Sequence, residues 1–255
     1  MNSWLEQCLA LNGRHRGETV FILGAGPQLA KLTQAQLRAL AGRVTIGLNR
    51  TTYKLQPTYF LSAYIGQVLL AQLRAPHTTL FHMRPKYEPP LAPGIIPLRR
   101  ELFTDGRRLH DSFTAPEPVL FTRRNVALGA THLAFILGAR EIVYIGVEQQ
   151  NAAHFFDYEP NLRQIMRQDV ESLRHVPFLN VDHPYATYEG LIAKHDTTAA
   201  EEEQKPFYKD SHTETFRAYI DELRRHRVDV VATARQSVVT EAGGDFVSLH
   251  DYVGA

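Results

Sequence analysis

Short apolar runs alternate with longer stretches in which apolar residues recur every three or four positions. Residues 18–23 read ETVFIL and run into Gly24-Ala25-Gly26-Pro27. A run this short and this apolar, ended by glycines, predicts a strand buried on both faces. A helix is expected over about 33–40, with Thr33 as its N-cap and Gly42-Arg43 as the return. Residues 44–48 (VTIGL) repeat the strand signal and end at Asn49-Arg50. Further strands are expected at 58–62 and 78–82, with a helix at 66–73 between them. A helix over 125–137 carries Leu128, His132, Phe135 and Ile136 at helical spacing, and Gly138 closes it. The run 141–146 (EIVYIG) predicts another buried strand, ending in Val147-Glu148. Amphipathic helices follow at 161–174 and 213–226, the second with Phe216, Tyr219, Ile220 and Leu223 on one face. Residues 228–232 make the last core strand, and 246–253 a short strand and turn. Buried strands alternating with helices predict an α/β, Rossmann-like fold: a mostly parallel sheet with helices on both faces.

Two stretches lack this rhythm. Residues 84–118 are rich in proline and arginine, which predicts an irregular excursion over the surface, framing a site. Residues 177–210 include Glu201, Glu202 and Glu203 and read as a lid segment. The 255 residues suit one nucleotide-binding α/β domain spanning 1–255. A net charge of +1 gives no general affinity for nucleic acid. Arg99, Arg100, Arg107, Arg108, Arg123 and Arg124 nevertheless concentrate charge in mid-chain. The plain reading is a solvated surface; a basic surface of this kind also suits phosphates or an anionic membrane. Cys8 is the one cysteine, so no disulfide forms within the chain and a reducing compartment fits. With no signal peptide and no membrane-spanning run, the expected place is the cytoplasm, with contact at the inner membrane face left open, as is homo-oligomer formation.

The chemistry expected of this chain gathers where strands end. Gly24, Ala25, Gly26 and Pro27 form a strand-to-helix turn, the context in which backbone amides and a helix N-terminus hold a phosphate. The turn is not a dinucleotide fingerprint, because Leu29 holds the place of the third glycine, and no P-loop lysine follows. The structural alternative is a plain connecting turn. Asn49 falls at the same sheet edge if the strands are parallel, and its amide suits a ribose or phosphate. Ser62 has a similar place after the third strand. Glu148 ends the 141–146 strand, ahead of Gln149, Gln150, Asn151, His154 and Tyr158, a polar density that favours a site. Twelve histidines form no HExxH or Cys/His cluster, so no metal site is expected. His132 faces an apolar helix side and reads as structural. His212 lies among Tyr208, Asp210 and Ser211, where Ser211-x-x-Glu214 also fits a capping box.

The order of these pieces resembles the bacterial sialyltransferase-like glycosyltransferases and the related motility-associated-factor and hydroxymethylpterin diphosphokinase-like proteins. The resemblance lies in GAGPQL (24–29), IGLN ending at Asn49, FILGAREIVYIGVE (135–148) and VDVVATARQS (228–237), and covers about 17–237. It implies a glycosyltransferase with a lid, taking a sugar from a CMP-activated donor. The sugar would be a keto-sugar acid such as sialic acid or Kdo, and the acceptor a glycan or other hydroxyl. Gly24, Ala25, Gly26 and Asn49 would line the nucleotide pocket, with Asn125 near the donor. His212 would be the general base, and Tyr158 or Tyr208 would support the leaving phosphate; no cofactor is required. Three positions depart from the pattern: Gln28 stands for serine, Ala25 for the asparagine of sialyltransferases, and Glu148 for aspartate. The alternatives are ATP-dependent diphosphate transfer to a pterin-like substrate, which needs magnesium and acidic ligands, and a nucleotide-binding protein without turnover. The absent third glycine and the lack of an acid at Asn49 count against NAD.

Overall fold

The computed structural model describes residues 3–84, 93–104, 108–123, 125–148, 154–175 and 209–253, with the backbone alone for 3 and 209–212. Among the described residues nine strands form one sheet: β1 (Thr19–Leu23), β2 (Val44–Leu48), β3 (Tyr59–Ser62), β4 (Thr79–Arg84), β5 (Ile95–Leu102), β6 (Val119–Thr122), β7 (Glu141–Ile145), β8 (Asp229–Ala232) and β9 (Asp245–Phe246). Their spatial order is β6-β5-β4-β3-β2-β1-β7-β8-β9, and every neighbouring pair runs parallel. This is a Rossmann-like α/β architecture. The chain leaves β1 in one direction, lays down β2 to β6 in turn, and then returns to add β7 on the other side of β1. That reversal makes the carboxyl ends of β1 and β7 the topological switch point of the sheet, the place where open α/β sheets take ligands.

The apolar runs are strands because both of their faces are covered. On one face α1 (Ser3–Leu9), α4 (Val126–Ile136) and α6 (Lys209–Arg225) share a core with Val20, Ile22, Ile46, Leu61, Phe81, Ile142 and Tyr144. On the other, Phe21, Leu23, Val143 and Ile145 pack with residues of α2 (Gln34–Ala41) and α5 (Pro160–Ser172), while Phe60 and Leu80 pack with α3 (Ile65–Arg74). Short helices α7 (Val238–Glu241) and α8 (Leu249–Val253) finish the chain. Thr33 caps α2 as expected, in a reciprocal box with Gln36. Nearly every residue of α4 is buried, because this helix carries the chain back from the sheet edge to its centre. Gly138 follows it with φ 88°, the left-handed end that glycine adopts without strain.

Three expectations need correction. The stretch 84–118 is not wholly irregular, since it contains the eight-residue β5. Pro97 hid that strand. Arg99 and Phe103 donate to Pro118 and Thr122 on the β6 side, so the N–H that Pro97 lacks would point the same way, two residues before pairing with β6 begins. The proline therefore costs no ladder bond. Strand β6, not foreseen, follows as the sheet edge. Helix α6 starts at Lys209, so Ser211 and His212 lie inside it and Ser211-x-x-Glu214 is not its capping box. The expected lid at 177–210 falls almost wholly outside the described residues.

Candidate functional site at the carboxyl edge

Register places the glycine turn where the prediction needs it. Leu23 pairs with Gly47 on one side and Ile145 on the other, so the turn, Asn49 and Glu148 share one edge of the sheet. What the turn does there is different. Gly24 N–H donates to the Ile145 carbonyl at 2.8 Å and Gly26 N–H to the Gly146 carbonyl at 2.8 Å. Gln28 N–H donates to Glu148 Oε1 at 2.8 Å. The anion at the start of the short 3-10 helix Pro27–Lys31 is thus a carboxylate of the chain itself. A Cβ on Gly24 would stand 2.2 Å from the Gly146 oxygen, and one on Gly26 would stand 1.9 Å from Glu148 Oε2. The two glycines are needed for close approach of β7, and their amides do not form a phosphate cradle.

Gln28, the departure from serine, fastens this arrangement. Its Nε2 donates to the Thr233 carbonyl, and its Oε1 accepts from Gly146 N–H and the Thr233 hydroxyl. One side chain thereby ties the ends of β1, β7 and β8 together. Ala25 contributes its carbonyl, which accepts from Phe155 N–H at 2.9 Å and holds the 3-10 helix Phe155–Tyr158 against the turn. Glu148 Oε2 is sealed from solvent without a hydrogen-bond partner. Burial raises the carboxyl above the usual range, opposed by the N–H groups of Gln28 and Glu148 itself and by the charge of Lys31.

The end of β2 supplies the second half of the edge. Asn49 sits in the left-handed region at φ 55°, half-buried, and its amide has no partner among the described residues. Arg50 is buried, 4 % exposed, with its guanidinium over the Phe156 ring at 4.9 Å. Residues Thr51–Tyr53 then turn as a 3-10 helix over Gly47. Thr51 Oγ1, Thr52 Oγ1 and, on the first turn of α3, Gln67 Oε1 are buried without hydrogen-bond partners. Each such orphan costs on the order of 1–3 kcal/mol in a closed interior.

The chain matches no known protein-family model and no curated protein.

The remaining predicted site residues divide. Asn125 does not join the crevice: it follows β6, five strands from β1, about 24 Å at roughly 4.8 Å per strand. Its Oδ1 accepts from Ala127 N–H and caps α4. Ser62 is fully buried, and its hydroxyl accepts from Tyr64 N–H ahead of α3, so it has no surface to offer a ligand. Pro27 opens the short 3-10 helix and brings no donor. Tyr158 ends the 3-10 helix held by Ala25 and is 59 % exposed. His212 lies one helical turn before Phe216, whose ring meets Tyr144 of β7, and α6 runs back to β8; this sets the His212 backbone towards the carboxyl edge. Tyr208 lies outside the described residues, as do Gln149, Gln150 and Asn151. His132 is structural, as expected: it accepts from Phe121 N–H through Nδ1 and bonds the His110 carbonyl through Nε2. Of the clustered arginines, Arg99 pairs with Glu101 and Glu117, and Arg123 donates to Thr215. No three His, Cys, Asp or Glu side chains among the described residues group as metal ligands, and no described helix is long and apolar enough to cross a membrane. Sequence reasoning gave no site role to Arg50, Thr51, Thr52 or Gln28. The first three form a polar run straight after an apolar strand, the same signal that singled out Glu148.

Proposed function

We propose that this chain is a sialyltransferase-like glycosyltransferase that moves a sugar from a CMP-activated donor to a hydroxyl acceptor at the β1/β7 crevice. The observation that carries the reading is Glu148: one carboxylate oxygen is anchored on the turn while the other, buried, has no partner. It stands at the switch point, where open α/β sheets take their ligands, with Asn49 on the same edge across β1. The order of strand ends along the chain, which resembles that family, agrees with it.

In this reading the bond between sugar and phosphate oxygen breaks first, its electron pair leaving with CMP, and positive charge builds on the sugar ring. The amides of Gly24 and Gly26 are already spent, so Arg50 and Asn49 take over the task of holding the departing phosphate. Glu148 Oε2 accepts a hydrogen bond from a ribose or acceptor hydroxyl. The acceptor oxygen attacks the ring carbon and gives its proton to His212, a residue type suited to that transfer near neutral pH.

Calorimetric titration with CMP, CDP, ATP plus magnesium, and NAD tests the reading. CMP and CDP are expected to bind. Binding of ATP with magnesium, with CMP inert, moves the chain to diphosphate transfer, and a chain that takes up no nucleotide loses the proposal. His212→Ala should leave CMP affinity unchanged and cut turnover by about 100-fold or more; full turnover removes His212 from the base role. Glu148→Gln keeps an acceptor for Gln28 N–H, so it should fold normally while losing transfer. Because burial raises the Glu148 carboxyl, stability falls as pH rises from the ordinary carboxyl range towards the raised folded value and is level above it; the amide should therefore be no less stable at pH 7.

A further inference from the structure

The amino edge of the sheet, opposite the switch point, carries charge that the proposed reaction does not use. The loops ahead of β1 (10–18), β7 (137–140) and β8 (226–228) meet there. His15 N–H donates to the Leu137 carbonyl at 2.7 Å, Gly17 N–H to Gly138 at 2.9 Å, Arg140 N–H to Glu18 at 2.9 Å and Asp229 N–H to Arg140 at 2.9 Å. These bonds gather Arg14, Arg16, Arg140 and Arg227 into one corner, all exposed and none with a carboxylate partner among the described residues. The acids nearby are engaged or turned away. Glu18 bonds His15 at 3.1 Å, and buried Glu222 pairs with Arg225 at 2.8 Å. Glu141 and Asp229 alternate onto the other face of the sheet, with Val143 and Val231, where Glu141 accepts from the Tyr252 hydroxyl. A chain of net charge +1 therefore holds a local excess of positive charge at this corner.

One of the four arginines is held under strain. Helices α4 and α6 both end here in the same motif. Gly138 and Ala139 N–H donate to the Phe135 and Ala134 carbonyls; Arg227 and Val228 N–H donate to those of Arg224 and Leu223. The residue at the turn is left-handed in each, Gly138 at φ 88° and Arg227 at φ 61°. Glycine adopts that conformation freely and arginine does not, so an arginine kept in glycine's place points to a use for its side chain. The surroundings narrow the partner. Helix carboxyl ends turn partial negative charge outward, so the backbone cannot cradle a phosphate, and contact falls to the long side chains alone. The large exposed apolar residues, Leu73, Leu102, Tyr158, Ile165 and Phe246, all lie off these loops, so no ring is offered to a base. Such a corner suits a plane of spread anions better than a single ligand. We propose that it docks the protein on an anionic phospholipid surface. The proposal stands apart from the nucleotide reading, because β1, five residues and about 17 Å long, separates this corner from the switch point.

Co-sedimentation with vesicles of phosphatidylcholine, alone or with about one-third phosphatidylglycerol, tests it. At low salt the full chain should bind the mixed vesicles and not the neutral ones, and added salt should release it. Arg16→Gln combined with Arg140→Gln should weaken that binding about 25-fold, near fivefold for each charge removed. Arg227→Gly should weaken it about fivefold while raising the melting temperature, since charge and strain leave together; Arg227→Lys should bind as the parent does. Binding that does not depend on phosphatidylglycerol overturns the proposal. So does binding that survives the double substitution, which would place the contact on another surface. A lower melting temperature in Arg227→Gly would make the arginine a structural residue and likewise overturns it. A short RNA duplex bound more tightly than the mixed vesicles, and lost in the same variants, would make the corner a nucleic-acid surface instead. A parent chain that ignores CMP yet sediments with the mixed vesicles loses the glycosyltransferase reading and keeps this one.

Discussion

Gly26 shows how one missing methyl group organises the crevice. Its hydrogen leaves room for Glu148, and the carboxylate in turn takes the N–H of Gln28. Gly26→Ala puts a Cβ 1.9 Å from Oε2 and 2.7 Å from the Gly146 carbonyl, so either the carboxylate or the end of β7 must move. The expected cost is about 1–3 kcal/mol in urea unfolding, the usual price of overpacking. Adding Glu148→Ala should return part of it, because one of the two clashing groups is gone; strictly additive losses would show that the glycine matters for some other reason. The sequence marked Gly24, Gly26 and Glu148 as belonging together by their places at strand ends. It could not show that the acid is the turn's own anion, since 120 residues separate the two partners.

Elements at the far edge of the sheet show the opposite case, in which local pattern misleads. Strand β5 carries Pro97 and three charged residues among its eight, so no alternation marks it, yet β4 and β6 hold it from both sides. Beyond β6 no strand follows among the described residues. Instead His132 accepts the outward Phe121 N–H, and a His110 ring nitrogen bonds the outward Val119 carbonyl. Two histidines thus cover groups that would otherwise template another strand. Because Nδ1 of His132 must accept, its proton sits on Nε2, and a second proton has no place. Burial lowers this imidazole to about 3, with the neighbouring His110 adding to the effect, and burial then Arg84 and Arg100 lower His82 to about 4. Unfolded, each titrates near ~6.5. Between those limits the unfolded chain binds protons that the folded chain refuses. Stability should therefore fall as pH drops below ~6.5, by about 1.4 kcal/mol per pH unit for each histidine. Urea unfolding at pH 7, 6 and 5 measures that slope. His132→Gln, whose amide can accept from Phe121 and donate to His110, should lower it by about one proton; an unchanged slope would clear His132 of the effect.

At the scale of the whole molecule, the return of the chain through α4 to place β7 beside β1 creates the site. It buries β1 between two neighbours and under helices on both faces, so hydrogen exchange should be slowest in β1, β2 and β7. The amides of Gly24, Gly26 and Gln28 should be protected along with them in the absence of any nucleotide, because each is already bonded. Fast exchange there would mean an open turn, free to take a phosphate after all. The amino-acid sequence by itself determined the α/β alternation, the N-cap of α2 and the glycine that ends α4, the lengths of the central strands and the edge at which polar residues gather, because each depends on neighbours within one turn or one strand. Strand order, the covering of the β6 edge and the carboxylate seated in the glycine turn were decided by tertiary structure. These join residues tens to more than a hundred positions apart, and pairings at such range leave no periodic trace along the chain.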